Sequence, residues 1–154
     1  MGSSLAMNDK VREGAEIVYG PEECHRHSME LLEELGFPPG VLPLKDLEEC
    51  GRARETGFVW MKQKGPYEHF FTGTNTRVRY ETVVTAYVEK NRMKKMTGVR
   101  SKQMLLWVPI TEMSIDDQAG KKIYFKSAVG IGRSFPVSAF MDEEEKKTEG
   151  EIGA

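Results

Sequence analysis

Residues 77–89 read RVRYETVVTAYVE, and this stretch decides the fold. Val78, Tyr80, Thr82, Val84, Ala86 and Val88 fall on one side of a period of two, while Arg77, Arg79, Glu81, Val83, Thr85, Tyr87 and Glu89 fall on the other. A period of two places alternate side chains on opposite faces of an extended chain, so the stretch is a long strand with one face turned inward. The same reading extends outward to Phe58–Lys64, Tyr67–Gly73, Lys102–Ile115 and Lys122–Ile131. Between them lie turn signals at Gly65-Pro66, Asn91-Arg92, Thr97-Gly98 and Asp116 to Gly120. Strands joined by short turns pair antiparallel, and no helical pattern interrupts them, which argues against parallel crossover units and the phosphate-binding folds built on them. Pro109 inside a strand that otherwise reads as central predicts an edge or a bulge there.

Upstream the period changes. Asp9 is placed to cap a helix running to about Tyr19, which Gly20-Pro21 would close before starting the next. In that second helix Cys24, Ser28, Leu31, Leu32 and Leu35 form one apolar stripe, Glu22 and Glu23 suit its N-terminal dipole, and Gly36 suits its end. The passage GFPPGVLPL, residues 36–44, holds too many prolines for a helix and too many apolar residues for an exposed linker, so it is expected to pack as an extended, buried connection. The expected class is α+β, mainly β: an antiparallel, barrel-like sheet with two N-terminal helices, in one domain over residues 8–141.

The chain has 154 residues, and its acidic end is distinct from its body. Residues 142–154, DEEEKKTEGEIGA, have almost nothing to bury and are expected to form a disordered tail. Without them 20 basic residues face 18 acidic ones, too even a balance for a protein that coats nucleic acid. Residues 1–7 are expected to lie outside the domain, either disordered or added ahead of a natural start at Met7. The longest apolar run, Met104 to Ile110, is too short to span a bilayer, and the opening residues contain no secretory core. With only Cys24 and Cys50 and no close-spaced framework, free thiols in the cytoplasm are the expectation.

Three blocks, GFPPGVLPLKDLEECGRARETGFVWMKQK, VRYETVVTAYVEKNRMKKMTGVRSKQMLLWVPITEM and KIYFKSAVGIGRSFPVSAF, resemble in order the plant family known as domain of unknown function 538. The resemblance covers about residues 8–140 and lies with the branch that lacks a signal peptide. It implies a mostly antiparallel, barrel-like fold that has been likened to lipid-binding modules of bactericidal permeability-increasing proteins. It also implies that carboxylesterase-like activity has been proposed, with no settled catalytic residues. A likeness of fold transfers no site.

The residues themselves offer few sites. Gly-x-Ser-x-Gly is absent, and His25 and His27 are two apart on a helix and diverge by about 200°. His69, on a strand, would need a serine brought to it in space. Cys24 and His27 share a helix face, with Cys50 as a third metal candidate, but structural zinc normally takes four ligands, so a buried thiol and a solvated imidazole are preferred. No metal, cofactor or catalytic residue is assigned. Trp60, Trp107, Tyr80, Tyr87, Phe125 and Phe135 read as core aromatics more readily than as a stacking platform.

One charged feature remains. Lys90, Arg92, Lys94, Lys95, Arg100 and Lys102 occur without an acidic residue among them and alternate with Met93, Met96 and Val99. They form either a soluble hairpin edge or a patch for anionic headgroups or an acidic partner. The favoured reading is a non-enzymatic cytoplasmic binder of an amphipathic, lipid-like small molecule; for the basic residues the solvated hairpin edge is preferred, with peripheral contact with an anionic membrane as the functional option. A carboxylic ester hydrolase with a non-standard site and a protein-interaction module with a basic face are the alternatives. Neither nucleic acid nor a particular oligomeric state is implied.

Overall fold

The computed structural model describes residues 9–116, 121–130 and 132–141; the acidic tail and residues 1–7 lie outside them. The elements in chain order are α1 (Asp9–Arg12), β1 (Glu16–Tyr19), α2 (Pro21–Leu35), a 3-10 turn (Pro39–Val41), β2 (Leu47–Ala53), β3 (Phe58–Gln63), β4 (Tyr67–Phe71), β5 (Thr76–Glu89), β6 (Arg92–Gln103), β7 (Leu106–Ile115), β8 (Lys122–Ser127), β9 (Gly132–Pro136) and a second 3-10 turn (Val137–Phe140). All nine strands form one antiparallel sheet in the order β1-β2-β3-β5-β6-β7-β8-β9, with β4 also paired to β5. Among the described residues β1 and β9 are the two ends of this order and do not pair, so the sheet is open and the expected barrel does not close.

The first expected helix is corrected. Gly14, at φ 74°, follows a single turn of helix, and residues 16–19 pair with β2, Glu16 against Arg52 and Tyr19 against Glu49. Ile17, Val18 and Tyr19 are β-formers, and ladder pairing satisfies backbone groups that an isolated short helix would leave to water. The second helix forms as expected: Cys24, Ser28, Leu31, Leu32 and Leu35 are the buried residues of α2, and Gly36 caps it in the left-handed region at φ 90°. The Leu35 carbonyl accepts from Asn91 N–H at 2.8 Å, which docks the helix end on the β5–β6 turn. The connection over residues 36–44 is buried as expected, through Phe37, Val41 and Leu42, but it is not extended throughout: Pro39–Val41 form a 3-10 turn, whose first position accepts a proline because its N–H would have no partner there.

The strand β5 has two neighbours on one side. Its half Val83–Tyr87 pairs with β3 and its half Thr76–Tyr80 with β4, the two being separated by the Gly65-Pro66 break. The turn expected at Thr97-Gly98 is instead an irregularity inside a continuous β6. Gly98 has φ 83°, and a Cβ there would stand 2.4 Å from the Val83 carbonyl oxygen, so only glycine fits this bulge. The real turn falls at Met104-Leu105, which divides the strand expected over 102–115 into the end of β6 and all of β7. The strand expected over 122–131 ends at Ser127, and β9 follows it. Pro109 lies on interior strand β7 next to a register shift at Ile110/Glu112. Its carbonyl accepts from Ala128 N–H at 2.9 Å, so its missing N–H points to the β8 side, just beyond the last β7–β8 pair.

The core divides by sheet face. Leu31, Leu32 and Leu35 of α2 meet Cys50, Met61, Val84 and Met93 in one large cluster that continues to Phe71, Ile123 and Phe140. Full burial of each such leucine gains about 1.5–3 kcal/mol before ordering costs. On the opposite face Ala53, Phe58 and Trp60 form a smaller cluster roofed by Val11, Ala15 and Ile17. Among the described residues no helix is long and apolar enough to cross a membrane.

Candidate functional site

The inward residues of β5, β6 and β7 meet the two 3-10 turns around a cavity of about 60 Å³. Its walls include Val78, Met96, Val99, Ile110 and Met113, and Val41, Leu42 and Phe140 cover it. Phe140 is held by rings on three strands, with centroids 5.3 Å from Phe71, 5.3 Å from Phe125 and 6.2 Å from Phe135. Tyr80 also lines the cavity, and burial pushes its hydroxyl far above the ordinary range, which keeps it neutral. Polar residues gather toward one end: Thr74, Thr76, Ser101, Gln103, Ser127 and Arg133. Gln103 Nε2 donates to Ser101 Oγ at 3.2 Å, and the exposed Arg133 guanidinium lies 4.9 Å from the Phe135 ring centroid. The lining is therefore apolar within and polar at its rim, the distribution that suits a ligand with one oily and one polar part.

The candidate histidines stand apart. His25 is exposed on α2, and His27 is half buried near Arg52 with Nδ1 lacking a hydrogen-bond partner among the described residues. His69, on the inner side of β4, has Nδ1 3.1 Å from the Tyr67 hydroxyl, and its ring meets the edge of Phe71 at 4.7 Å. The two cysteines are brought together. Cys24 Sγ donates to the Val18 carbonyl at 3.6 Å, Ser28 Oγ is 3.9 Å from Cys50 Sγ and donates to Met61 Sδ at 3.7 Å, and both thiols are fully buried. Burial raises both thiols above their ordinary pKa, so neither is an activated nucleophile. Among the described residues no group of three or more His, Cys, Asp or Glu side chains is placed to hold a metal ion.

The six basic residues do not form one patch. Lys90, Arg92 and Lys94 lie at the β5–β6 turn, where Arg92 pairs with Glu112 at 2.9 Å and Glu89 at 3.8 Å, and Lys94 pairs with Glu89 at 3.2 Å. Lys95, at φ 52°, sets its ammonium 5.5 Å from the Tyr87 ring centroid. Arg100 and Lys102 lie at the other end of β6, and the six steps along the strand from Lys94 put Arg100 roughly 20 Å away. That is more than twice the roughly 8 Å over which charges act at physiological salt. Met93, Met96 and Val99, which alternate with these cations, are core residues.

What the sequence reading missed lies at the Arg100 end. Ser101 and Gln103 continue the inward register of Val99 and are polar where a filled core would be apolar, and this was the available signal for the cavity. Met104, Leu105 and Leu106 were hidden because no Gly, Asn or Pro marks their turn.

Comparison with curated proteins and with solved structures yields no match. The family described as a protein of unknown function, DUF538, matches residues 28–141, which runs from the middle of α2 through the second 3-10 turn and takes in every strand but β1. The chain belongs to the DUF538 family.

Proposed function

We propose that this chain is a non-enzymatic binder of an amphipathic, lipid-like small molecule, acting in the cytoplasm. The observation that carries the reading is the cavity between β5–β7 and the two 3-10 turns, apolar inside and lined at one end by Ser101, Gln103 and Arg133. Small-molecule sites usually occupy about 300–1,000 Å³. The present cavity holds about 60 Å³, so a chain-like ligand enters by displacing Phe140 from its ring of aromatic neighbours. Arg133 then pairs with an acidic or strongly polar head while the tail replaces Phe140 against Met96 and Met113. The two buried, weakly acidic thiols and the Tyr67-engaged His69 support a binding role over covalent catalysis.

Titration with a fluorescent long-chain fatty acid tests this. The intact protein should bind it saturably, and Ser101→Leu, which fills the cavity from β6, should abolish binding while the melting transition stays cooperative. Absence of saturable binding by the intact protein, or undiminished binding by Ser101→Leu, overturns the reading.

A further inference from the structure

We propose that the β6–β7 tip is a docking surface for an anionic lipid bilayer. Met104, Leu105 and Leu106 are 94%, 91% and 69% exposed, three consecutive large apolar side chains held out at the end of a hairpin. Met104 sits at φ 58°, a left-handed conformation that glycine or asparagine would adopt at lower cost. A turn that keeps apolar residues in water at a backbone cost has a surface to meet.

The surroundings specify which surface. Behind the tip, Lys102 pairs across the ladder with the half-exposed Trp107 and lies 5.9 Å from its ring centroid. Arg100 lies directly opposite Arg79, a like-charged cross-strand pair that counter-anions would relieve. The same outer face carries Arg77, 5.7 Å from the ring centroid of the exposed Phe70. Arg77 and Arg79 have carboxylate neighbours, Glu68 at 4.0 Å and Glu81 at 3.2 Å, while among the described residues no ion pair involves Arg100 or Lys102. An apolar tip first, then an indole level with Lys102, then Arg100 further back is the order in which a bilayer presents hydrocarbon and then the interface with its anionic headgroups. A protein partner requires no such ordering with depth.

This end of the sheet is also where the polar rim of the cavity lies, because the β4–β5 and β6–β7 turns share it: Val78 pairs with Ser101, and Phe71 with Thr76. The purpose of docking rests on the cavity reading, since it would set the rim against the membrane from which an amphipathic ligand comes. The docking itself does not.

Co-sedimentation of the intact protein with vesicles tests it, using phosphatidylcholine alone and phosphatidylcholine mixed with phosphatidylglycerol. The protein should pellet with the mixed vesicles at low salt, pellet little with the neutral ones, and be released by added salt. Trp107 emission should shift to the blue on binding, a change that Trp107→Phe removes; Trp60 is already fully buried. Leu105→Glu with Leu106→Glu should abolish pelleting, and Arg100→Glu and Lys102→Glu should each weaken partitioning at least fivefold. Those positions are exposed, so melting should be unchanged. No pelleting with anionic vesicles, or pelleting that survives the Leu105→Glu, Leu106→Glu pair, overturns the proposal. Reversible self-association without lipid that the same pair abolishes overturns it in favour of a second copy as the occupant. Ser101→Leu should still pellet, so failure of the cavity and failure of the docking surface are read separately.

Discussion

Gln63, at the end of β3, donates from Nε2 to the Glu81 carbonyl at 2.9 Å and so closes the gap that the Gly65-Pro66 break leaves beside β5. Its Oε1 accepts from Lys45 N–H at 2.8 Å, and the side chain is fully buried. One amide thus satisfies the Glu81 carbonyl, which the broken ladder would otherwise orphan, and the Lys45 N–H of the loop before β2. Gln63→Leu removes both bonds at nearly constant volume and should destabilise by about 2–6 kcal/mol, because each of the two groups left unpaired costs about 1–3 kcal/mol. Urea unfolding measures this, and a loss below about 1 kcal/mol would mean that water serves both groups.

The opposite face depends on a close approach. Gly51 pairs with Trp60 across β2–β3, and a Cβ on Gly51 would lie 2.2 Å from the indole. That indole donates to Glu49 at 2.8 Å and lies 5.0 Å from the Arg12 guanidinium, so it has little freedom to move. Gly51→Ala should cost at least about 2 kcal/mol as an overpacking change and alter the near-ultraviolet circular dichroism of Trp60. An unaltered spectrum with unaltered stability would refute the packing described.

Protonation of His27 should make stability fall with acid. Burial holds its pKa below the ordinary 6.5; the neighbouring Arg52 and Arg54 push it the same way, and Glu16 and Glu30 oppose them. The unfolded chain therefore takes up the proton first as pH falls. The contribution is complete above about 6.5 and is lost progressively from there down toward the folded value. The urea midpoint of the wild type should drop between pH 7 and 5 by more than that of His27→Gln. Parallel profiles would show that His27 is not responsible.

The thiols should be silent in the native state. Cys24 and Cys50 are fully buried with pKa values raised by desolvation, so a thiol reagent at neutral pH should label neither until the protein unfolds. Rapid labelling of one cysteine in the folded protein would show an opening of the α2–β2 contact.

Legibility followed how strongly one local signal dominated its neighbours. The β5 alternation and the α2 stripe were readable because one face of each is buried against the same core, so periodicity and burial agree. The helix expected over 9–19 failed because α1 and β1 are each four residues long, below the length at which a period shows. Around β6 a glycine that serves a bulge carries the same local signal as a turn, and a turn without glycine carries the signal of a strand. That exchange moved the hairpin tip from 97–98 to 104–105 and placed the apolar residues in the wrong surroundings. Cavity residues were less legible still, since Ser101 and Arg133 come together only when β6 and β9 fold over the same core.

The last prediction separates the two ends of β6. Reversing Lys94 and Lys95 together, Lys94→Glu and Lys95→Glu, should leave binding to anionic vesicles nearly unchanged, whereas Arg100→Glu and Lys102→Glu should weaken it strongly. Lys94 is already matched by Glu89 at 3.2 Å, and Lys95 lies against Tyr87. They are roughly 20 Å and 16 Å from Arg100 along the strand, and salt attenuates a field over about 8 Å. Arg100 and Lys102 instead stand directly behind the exposed Leu105 and Leu106, where each charge near a headgroup layer contributes about 1 kcal/mol. Reversing the near pair therefore repels the headgroups, and reversing the far pair mainly breaks the Lys94–Glu89 pairing, a surface contact of little weight. The measurement is vesicle co-sedimentation of the two double variants at matched salt. Equal losses would mean that net charge rather than the tip drives adsorption, and a loss confined to the Lys94, Lys95 variant would place the membrane at the opposite end of the sheet.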